Sequence, residues 1–334
     1  MSFKDIQGQD KPIELLKEYI KNSRLNNGYL FIGPEGVGKA LAAKTAAKAL
    51  NCLEETIDSC DRCASCLKIE KNQHPDVHFV DASMPLNINL EGESDRGNSE
   101  AIKIDHIRQL RKVISLKPYE GRKKVFILDN AHNLTADASN ALLKILEEPP
   151  PESLLILISS HPSLLLKTVT SRCRVIKFAS LERGQLEQIL KDKYGLDGGC
   201  AHFLAYFCEG RIGSALQLKD TDLILDKNRV INEFVISPKA DLESFPVADK
   251  VYLRRCLNIL AGWFRDLYIL KINSPHAQLI NLDRKDDLLK IMNRYTFPAL
   301  DEKISFISDM LLYLEQNINV KLMLANLRIA LWNG

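Results

Sequence analysis

The sequence predicts an α/β domain with a mainly parallel sheet, followed by a helical C-terminal part. Short apolar runs alternate with helical segments as far as residue 178, which is the pattern of strand–helix–strand units in a parallel sheet. From residue 182 onward the strand pattern fades and helical spacing of apolar residues remains. The chain has 334 residues, enough for two or three domains at about 150 residues each.

The predicted elements follow one another along the first half of the chain. Continuous apolar runs predict buried strands, at 29–32, 77–80, 124–129, 154–158 and 174–178. Apolar residues at helical spacing predict helices at 12–21, 41–50, 104–115 and 137–148. Three prolines end the last of these helices, and the polar stretch 83–99 predicts a surface loop. Beyond the strands, helices are predicted at 185–193, 202–209, 212–218 and 253–272.

Composition and charge exclude several classes of protein. Lysine and arginine number 45 and aspartate and glutamate 43, so the net charge is +2, which argues against a basic nucleic-acid coat or an acidic tail. The first residues contain no apolar signal segment, and no apolar run is long enough to span a membrane. We therefore expect a cytoplasmic protein without a membrane partner, whose eight cysteines stay reduced.

A phosphate-binding loop is predicted at residues 33–40. The sequence GPEGVGKA matches the pattern G-x-x-x-x-G-K between a predicted strand and a predicted helix. Gly33, Gly36 and Gly38 would let backbone N–H groups face phosphate oxygens, and Lys39 would add a positive charge. A tight strand-to-helix turn with no ligand is the simpler alternative, but the motif and its context agree.

Two departures from this motif predict that the chain hydrolyses ATP poorly or not at all. Active enzymes have Ser or Thr after the lysine to coordinate Mg²⁺, whereas Ala40 offers a methyl group. Asp129 ends a predicted strand, like the aspartate that assists the metal, but Asn130 follows it where a glutamate would orient the attacking water. The glycines and the lysine remain compatible with ATP or ADP binding.

A cluster of four cysteines predicts a structural zinc site. The spacing C-x₇-C-x₂-C-x₂-C offers four thiolates, which close a tetrahedral zinc site. Four reduced thiols or a redox C-x-x-C are the alternatives, and His74 is a weaker ligand candidate than the first cysteine. The predicted ligands, called the cysteine cluster below, are Cys52, Cys60, Cys63 and Cys66; the other cysteines, Cys173, Cys200, Cys208 and Cys256, are predicted to be small buried apolar residues.

Three strings resemble the AAA+ clamp-loader family. Residues 140–150, NALLKILEEPP, resemble its NALLKxLEEPP signature, and Ser171, Arg172 and Cys173 match its SRC motif. The cysteine cluster running into His74-Pro75-Asp76 is similar to the bacterial branch of the family. The chain thus resembles the delta-prime branch of the bacterial DNA polymerase III clamp-loader family, with specific motifs over residues 1–220.

This resemblance implies a domain organisation and a role. It implies an AAA+ P-loop domain at 1–178 with a zinc module at about 52–66, a helical lid at 179–238 and a helical collar at 239–334. It implies a five-membered ring with gamma/tau and delta subunits, which places the sliding clamp on primed DNA. In that ring the chain would be a stator without catalysis in cis, whose Arg172 acts as an arginine finger at a neighbour's ATP site. No pair of metal-binding carboxylates suited to polymerase chemistry is evident.

Two further positions bear on nucleotide chemistry. Active members of the family carry an arginine in the lid before Ala-Leu, where this chain has Gly213, and Arg211 lies two residues too early. Ser159 and Ser160 follow the fourth predicted strand, where a hydroxyl would bind phosphate or cap a turn.

Two alternatives to the stator interpretation remain open at this point. The first is an active motor ATPase of the gamma/tau type, which the residues at positions 40, 130 and 213 disfavour. The second is a zinc-dependent nucleic-acid-binding protein unrelated to ATP, which leaves the phosphate loop and the SRC motif unexplained.

Overall fold

The computed structural model describes residues 1–22, 28–54, 57–80, 101–236, 250–273, 278–314, 326–327 and 330. The chain divides into two compact units, residues 1–180 with 211–213 and residues 181–210 with 214–334. The predicted surface loop 83–99 lies outside the described residues. So does the predicted boundary at residue 238 between lid and collar.

The first unit is built on a five-stranded parallel sheet. Each predicted strand is present, with ends within one residue of those expected from the apolar runs. The strands are β1 (Gly28–Ile32), β2 (Val77–Val80), β3 (Lys124–Leu128), β4 (Ser153–Ser159) and β5 (Arg174–Lys177). Their order is β2-β3-β4-β1-β5, and every pair is parallel. The prediction of a parallel α/β sheet is confirmed.

Six helices accompany this sheet in the described part of the first unit. They are α1 (Asp10–Lys21), α2 (Lys39–Asn51), α3 (Ala64–Glu70), α4 (Ile104–Ile114), α5 (Ala136–Glu147) and α6 (Lys167–Thr170). The four longer helices were predicted. The two short ones, α3 and α6, were not, because seven and four residues show too little helical periodicity.

Helices cover both faces of the sheet. Side chains alternate along each strand, so Tyr29 and Phe31 belong to the core that contains α1 and α2, whereas Leu30 belongs to the core that contains α4 and α5. Because both faces are buried, the strands are apolar throughout, and this is why they could be recognised. The carboxyl ends of β1 and β3 then deliver the phosphate loop and Asp129 to one edge.

The described part of the second unit is helical and contains no strand. Its helices are α7 (Arg183–Tyr194), α8 (Gly198–Phe207), α9 (Ile212–Leu218, of which the first two residues belong to the first unit), α10 (Leu223–Ile231), α11 (Lys250–Ile272), α12 (Lys285–Ile291) and α13 (Phe297–Tyr313). Helix α8 starts four residues earlier than predicted, because the Asp197 carboxylate caps it by accepting the N–H groups of Gly199 and Cys200 at 2.9 and 3.0 Å. Cys208 and Cys256 are buried, as predicted, whereas Cys200 is only partly buried and the prediction is wrong for it. Within the described residues, every helix is too short or too polar to cross a lipid bilayer.

Candidate functional site

The phosphate loop connects β1 to α2. Gly33, Gly36 and Gly38 all have positive φ angles, of 148°, 77° and 98°, which a residue with a side chain rarely adopts. Lys39 opens α2 and donates hydrogen bonds from Nζ to the Gly33 and Pro34 carbonyls, each at 2.6 Å. A bound phosphate would compete with these two carbonyls for the ammonium group.

The electrostatic surroundings of Lys39 connect the loop to the end of β3. Burial lowers the pKa of Lys39, and the nearby carboxylates of Asp129 and Glu35 partly offset this effect. Asp129 follows β3, and its Oδ1 accepts the N–H of Asn130 at 2.9 Å. The predicted lysine and aspartate are therefore brought together at one edge of the sheet.

The side chains at positions 40 and 130 lack the groups that hydrolysis of ATP requires. Ala40 is exposed in the first turn of α2, and its methyl group cannot coordinate Mg²⁺. Asn130 has a left-handed backbone, with φ 49° and ψ 44°, and presents a neutral amide in place of a carboxylate. This edge can accept phosphate, but the structure shows no carboxylate at position 130 to orient a water.

Gly213 contacts the phosphate loop directly through its backbone. Its N–H donates to the carbonyl of Gly36 at 2.7 Å. A Cβ atom at position 213 would lie only 2.7 Å from that same oxygen. An arginine at this position would therefore have to displace the loop. The sequence showed that the arginine is absent but not that the backbone here touches the phosphate loop.

The two serines after β4 belong to a turn. Ser159 Oγ accepts the N–H of His161 at 3.1 Å and lies 3.4 Å from Nδ1 of His132. Ser160 Oγ lies 3.0 Å from Nδ1 of His161. Burial lowers the pKa of His132, as does His161, whereas Asp129 opposes the effect. His132 is thus a further polar residue at this edge; its place three residues after the strand-end aspartate is the signal that could have identified it.

The cysteine cluster is assembled in space. Its four sulfur atoms all lie within 4.8 Å of one another. Tetrahedral zinc with Zn–S distances of about 2.3 Å separates its sulfurs by about 3.8 Å, so a small contraction would fit the ion. The four side chains could hold zinc.

Local hydrogen bonds also suit a thiolate site. Cys63 Sγ accepts the N–H of Cys66, and Cys60 Sγ accepts the N–H of Cys63, each at 3.4 Å. Burial raises the pKa of Cys63, but the backbone donors of Cys66 and Leu53 outweigh it and lower this pKa to about 7. Metal ligands must be deprotonated, so these donors favour the ligand form of Cys63, whereas burial raises the pKa of Cys60 and of Cys66.

His74 does not join the cysteine cluster. Its Nδ1 accepts the N–H of Asp76 at 3.1 Å, and its Nε2 lies 3.6 Å from Glu120. Asp76 is fully buried and accepts the N–H groups of Tyr119, Glu120 and Gly121 at 2.7, 2.9 and 2.8 Å. Asp76 therefore fixes the loop at 119–121, a role that the sequence alone did not reveal.

The SRC motif lies between α6 and β5. Arg172 is exposed over 38% of its side chain. Ser171 is exposed, and its Oγ donates to the Thr168 carbonyl at 3.1 Å. Cys173 is half-buried, and burial raises its pKa to about 12. Of the three residues, the arginine is the one with a charge and an exposed polar group suited to a ligand outside the unit.

Arg172 lies at the sheet edge opposite the phosphate loop of its own chain. A Cβ atom on Gly28, the first residue of β1, would lie 3.6 Å from the Arg172 carbonyl oxygen. The phosphate loop begins at Gly33, at the other end of this five-residue strand. The strand separates the two by roughly 16 Å, which is farther than an arginine side chain reaches.

Comparison with known proteins identifies the family to which the chain belongs. The family model described as DNA polymerase III, delta subunit, matches residues 8–182, and that described as DNA polymerase III, delta subunit, C terminal, matches residues 228–331. The DNA polymerase III subunit delta' of Bacillus subtilis is 28% identical over 336 residues, covering 98% of this chain and 97% of that protein. The subunit tau of the same organism is 29% identical over 320 residues, and this match covers 93% of the present chain but 50% of that longer relative.

A solved structure shows the same fold. The chain superposes on a DNA polymerase III gamma subunit-related protein from Thermotoga maritima with a TM-score of 0.50 and 18% identity, covering 96% of this chain and 98% of that one. The fold is the expected AAA+ P-loop fold with a helical C-terminal region. The first family model covers more than half of the chain, which removes the alternative of a zinc protein unrelated to ATP-binding proteins. The chain belongs to the DNA polymerase III delta subunit family and is a clamp-loader family protein.

Proposed function

We propose that this chain acts in DNA replication as a delta-prime stator of the clamp loader. It does not hydrolyse ATP, and it supplies Arg172 to the ATP site of a neighbouring subunit. The observation that carries the proposal is the pair of side chains at the phosphate-loop edge, the methyl of Ala40 and the amide of Asn130.

Hydrolysis of ATP by this class of fold needs a metal ligand and a group that orients water. A hydroxyl at position 40 would bind Mg²⁺, and a carboxylate at position 130 would orient the water. Neither group is present at these positions. The three loop glycines, Lys39 and the amino end of α2 still offer a phosphate cradle, so nucleotide binding without turnover is expected.

The trans role of Arg172 is supported by its exposure and its location. A guanidinium at a neighbour's γ-phosphate would neutralise the charge that develops there, an effect worth about 10³–10⁵ in rate in related NTPases. Because β1 separates Arg172 from the phosphate loop of its own chain, the same residue cannot serve that loop.

The remaining parts of the proposal concern assembly. We expect the cysteine cluster to hold one structural zinc that stabilises a module at about 52–66. We expect a lid at 179–238 and a collar at 239–334, the collar joining gamma/tau and delta subunits in a ring of five. The sliding clamp and primed DNA would be met through this assembly.

A motor ATPase of the gamma/tau type is the second candidate. It is favoured by the identity to the Bacillus subtilis tau subunit, 29% over 93% of this chain, which is as high as the 28% to the delta' subunit. Identity does not separate the two, whereas the residues at positions 40, 130 and 213 favour the stator.

Turnover of ATP by the purified chain tests the proposal. We expect no Mg²⁺-dependent phosphate release above that of the Lys39→Ala variant, while a motor subunit from the same organism, assayed beside it, hydrolyses ATP. Binding of a fluorescent ATP analogue without turnover agrees with the proposal. Turnover that Lys39→Ala abolishes would overturn it in favour of the motor.

A further inference from the structure

The guanidinium of Arg172 is held by two acceptors on its own chain. Its NH1 donates to the carbonyl of Thr168 at 3.0 Å. Its NH2 lies 2.8 Å from Oε1 of Glu147, an exposed residue at the last position of α5. Glu147 belongs to the LEEPP end of one family motif and Arg172 to the SRC motif, so the contact joins two motifs that lie 25 residues apart in the sequence.

Both acceptors are carried by packed backbone. Thr168 lies within α6, next to the buried Val169. A Cβ atom on Gly28 would lie 2.7 Å from the Leu146 side chain and 3.6 Å from the Arg172 carbonyl oxygen. The end of α5, the SRC segment and the start of β1 therefore meet at one place, and the positions of the two acceptors are set by the fold.

These contacts leave part of the guanidinium available. The group carries five N–H donors in a fixed plane, and within the described residues the structure shows one hydrogen bond from NH1 and one ion pair at NH2. The remaining donors can meet phosphate oxygens of a bound nucleotide. Holding a long flexible side chain in one orientation before the ligand arrives lowers the entropy lost when it engages.

We propose that Glu147 is a positioning residue that orients the Arg172 guanidinium toward the ATP site of the neighbouring subunit. This inference rests on the proposed function of Arg172. Glu147 does not touch the nucleotide; it acts through the arginine by an ion pair between its carboxylate and NH2 at one edge of the guanidinium. Because exposed ion pairs contribute little to stability, the loss of Glu147 should be visible in the reaction and not in the folding of the chain.

Variants at position 147 separate positioning from electrostatic restraint. Glu147→Gln keeps an oxygen acceptor at the same reach but removes the charge, whereas Glu147→Ala removes both. If Glu147 positions the arginine through its charge, both variants lower the rate, alanine at least as much as glutamine. If the carboxylate instead holds the arginine away from phosphate, both variants would raise the rate.

The experiment uses the complete clamp loader reconstituted with each variant of this chain, with clamp- and DNA-stimulated ATP turnover and clamp loading as readouts. Glu148→Ala is the matched control, because Glu148 is the next residue and is also exposed. We expect Glu147→Ala to lower the kcat of the affected site roughly two- to fivefold, with KM for ATP unchanged. This factor corresponds to the free energy that an exposed ion pair contributes. Glu147→Gln should lower the kcat in the same direction, because it also removes the ion pair, and Glu148→Ala should stay close to wild type.

A double variant keeps the inference separable from the proposed function. Arg172→Ala with Glu147→Ala should be no slower than Arg172→Ala alone, because Glu147 acts only through Arg172. If Arg172→Ala is impaired but Glu147→Ala equals the Glu148→Ala control, or if both position-147 variants are faster, the inference is overturned and the arginine finger stands. If Arg172→Ala itself has no effect, the proposed function fails and the inference fails with it.

Discussion

Replacing Asp76 by asparagine should destabilise the loop at 119–121 by about 3 kcal/mol. The ionised carboxylate accepts three backbone N–H groups at 2.7–2.9 Å in a fully buried place, and hydrogen bonds to a charged group contribute about 1.5–3 kcal/mol each. An asparagine oxygen can keep the two donors that share Oδ2, but its NH₂ group then faces the third donor. One strong bond is lost, one buried donor is left unsatisfied and the others weaken.

The effect of this variant should depend on pH with a defined sign. Burial raises the pKa of Asp76, but the three backbone donors, together with the positive charge of Lys124, outweigh it and hold this pKa below its usual value. A lowered pKa means that the stabilisation is complete above the unfolded value, about 3.9, and is lost as the pH falls through the folded value. The difference between wild type and Asp76→Asn should therefore be full at pH 7 and shrink at pH 3.

Hydrogen exchange measured by mass spectrometry on peptides covering 119–128 is the appropriate assay. It reports this loop and β3 locally, without requiring the two units to unfold together. Asp105→Asn, at a highly exposed aspartate paired with Arg108, is the control and should leave protection unchanged. Protection in Asp76→Asn equal to that control at pH 7 would refute the argument from the three hydrogen bonds.

Two further predictions concern the metal and the nucleotide site. Elemental analysis of the folded, reduced chain should find about one zinc per chain, His74→Ala should retain it, and a chain without zinc would contradict the site. The double variant Ala40→Thr, Asn130→Glu should still hydrolyse ATP far more slowly than a motor subunit. The reason is that Gly213 offers no arginine and its backbone contacts the loop at Gly36. Turnover as fast as that of a motor subunit would show that the side chains at positions 40 and 130 alone had been limiting.

The strands of the sheet could be predicted because the signal that identifies each of them lies within its own few residues. Strands buried on both faces are continuous apolar runs, so β1 and β4 were visible without any knowledge of their neighbours. The cysteine cluster was equally visible, because three of its four ligands follow one another within seven residues. Helix α3, which begins within that stretch, was not predicted, because a seven-residue helix capped by Cys63 shows too little helical periodicity of apolar residues.

The contacts that shape the sites could not be predicted, because they join distant parts of the chain. Asp76 bonds to a loop more than 40 residues later, and its own neighbours give no sign of it. The sequence showed only that Gly213 replaces an arginine of active family members. The structure adds that the backbone at this position approaches Gly36 too closely for any side chain. The partnership of Glu147 with Arg172 likewise became evident only when two motifs met in space.

The central claim is that this chain gives an arginine to a neighbour and does not hydrolyse ATP itself. The most direct measurement compares ATP turnover and clamp loading by the reconstituted complex carrying Arg172→Ala, Arg172→Lys or Lys39→Ala in this chain alone. Lys167→Ala, at an exposed cation at the start of α6, is the matched control. We expect a partial loss of turnover and a larger loss of loading for both Arg172 variants, since lysine lacks the planar fork, and wild-type rates for Lys39→Ala and Lys167→Ala. Wild-type loading by Arg172→Ala, or loss of turnover in Lys39→Ala, would contradict it.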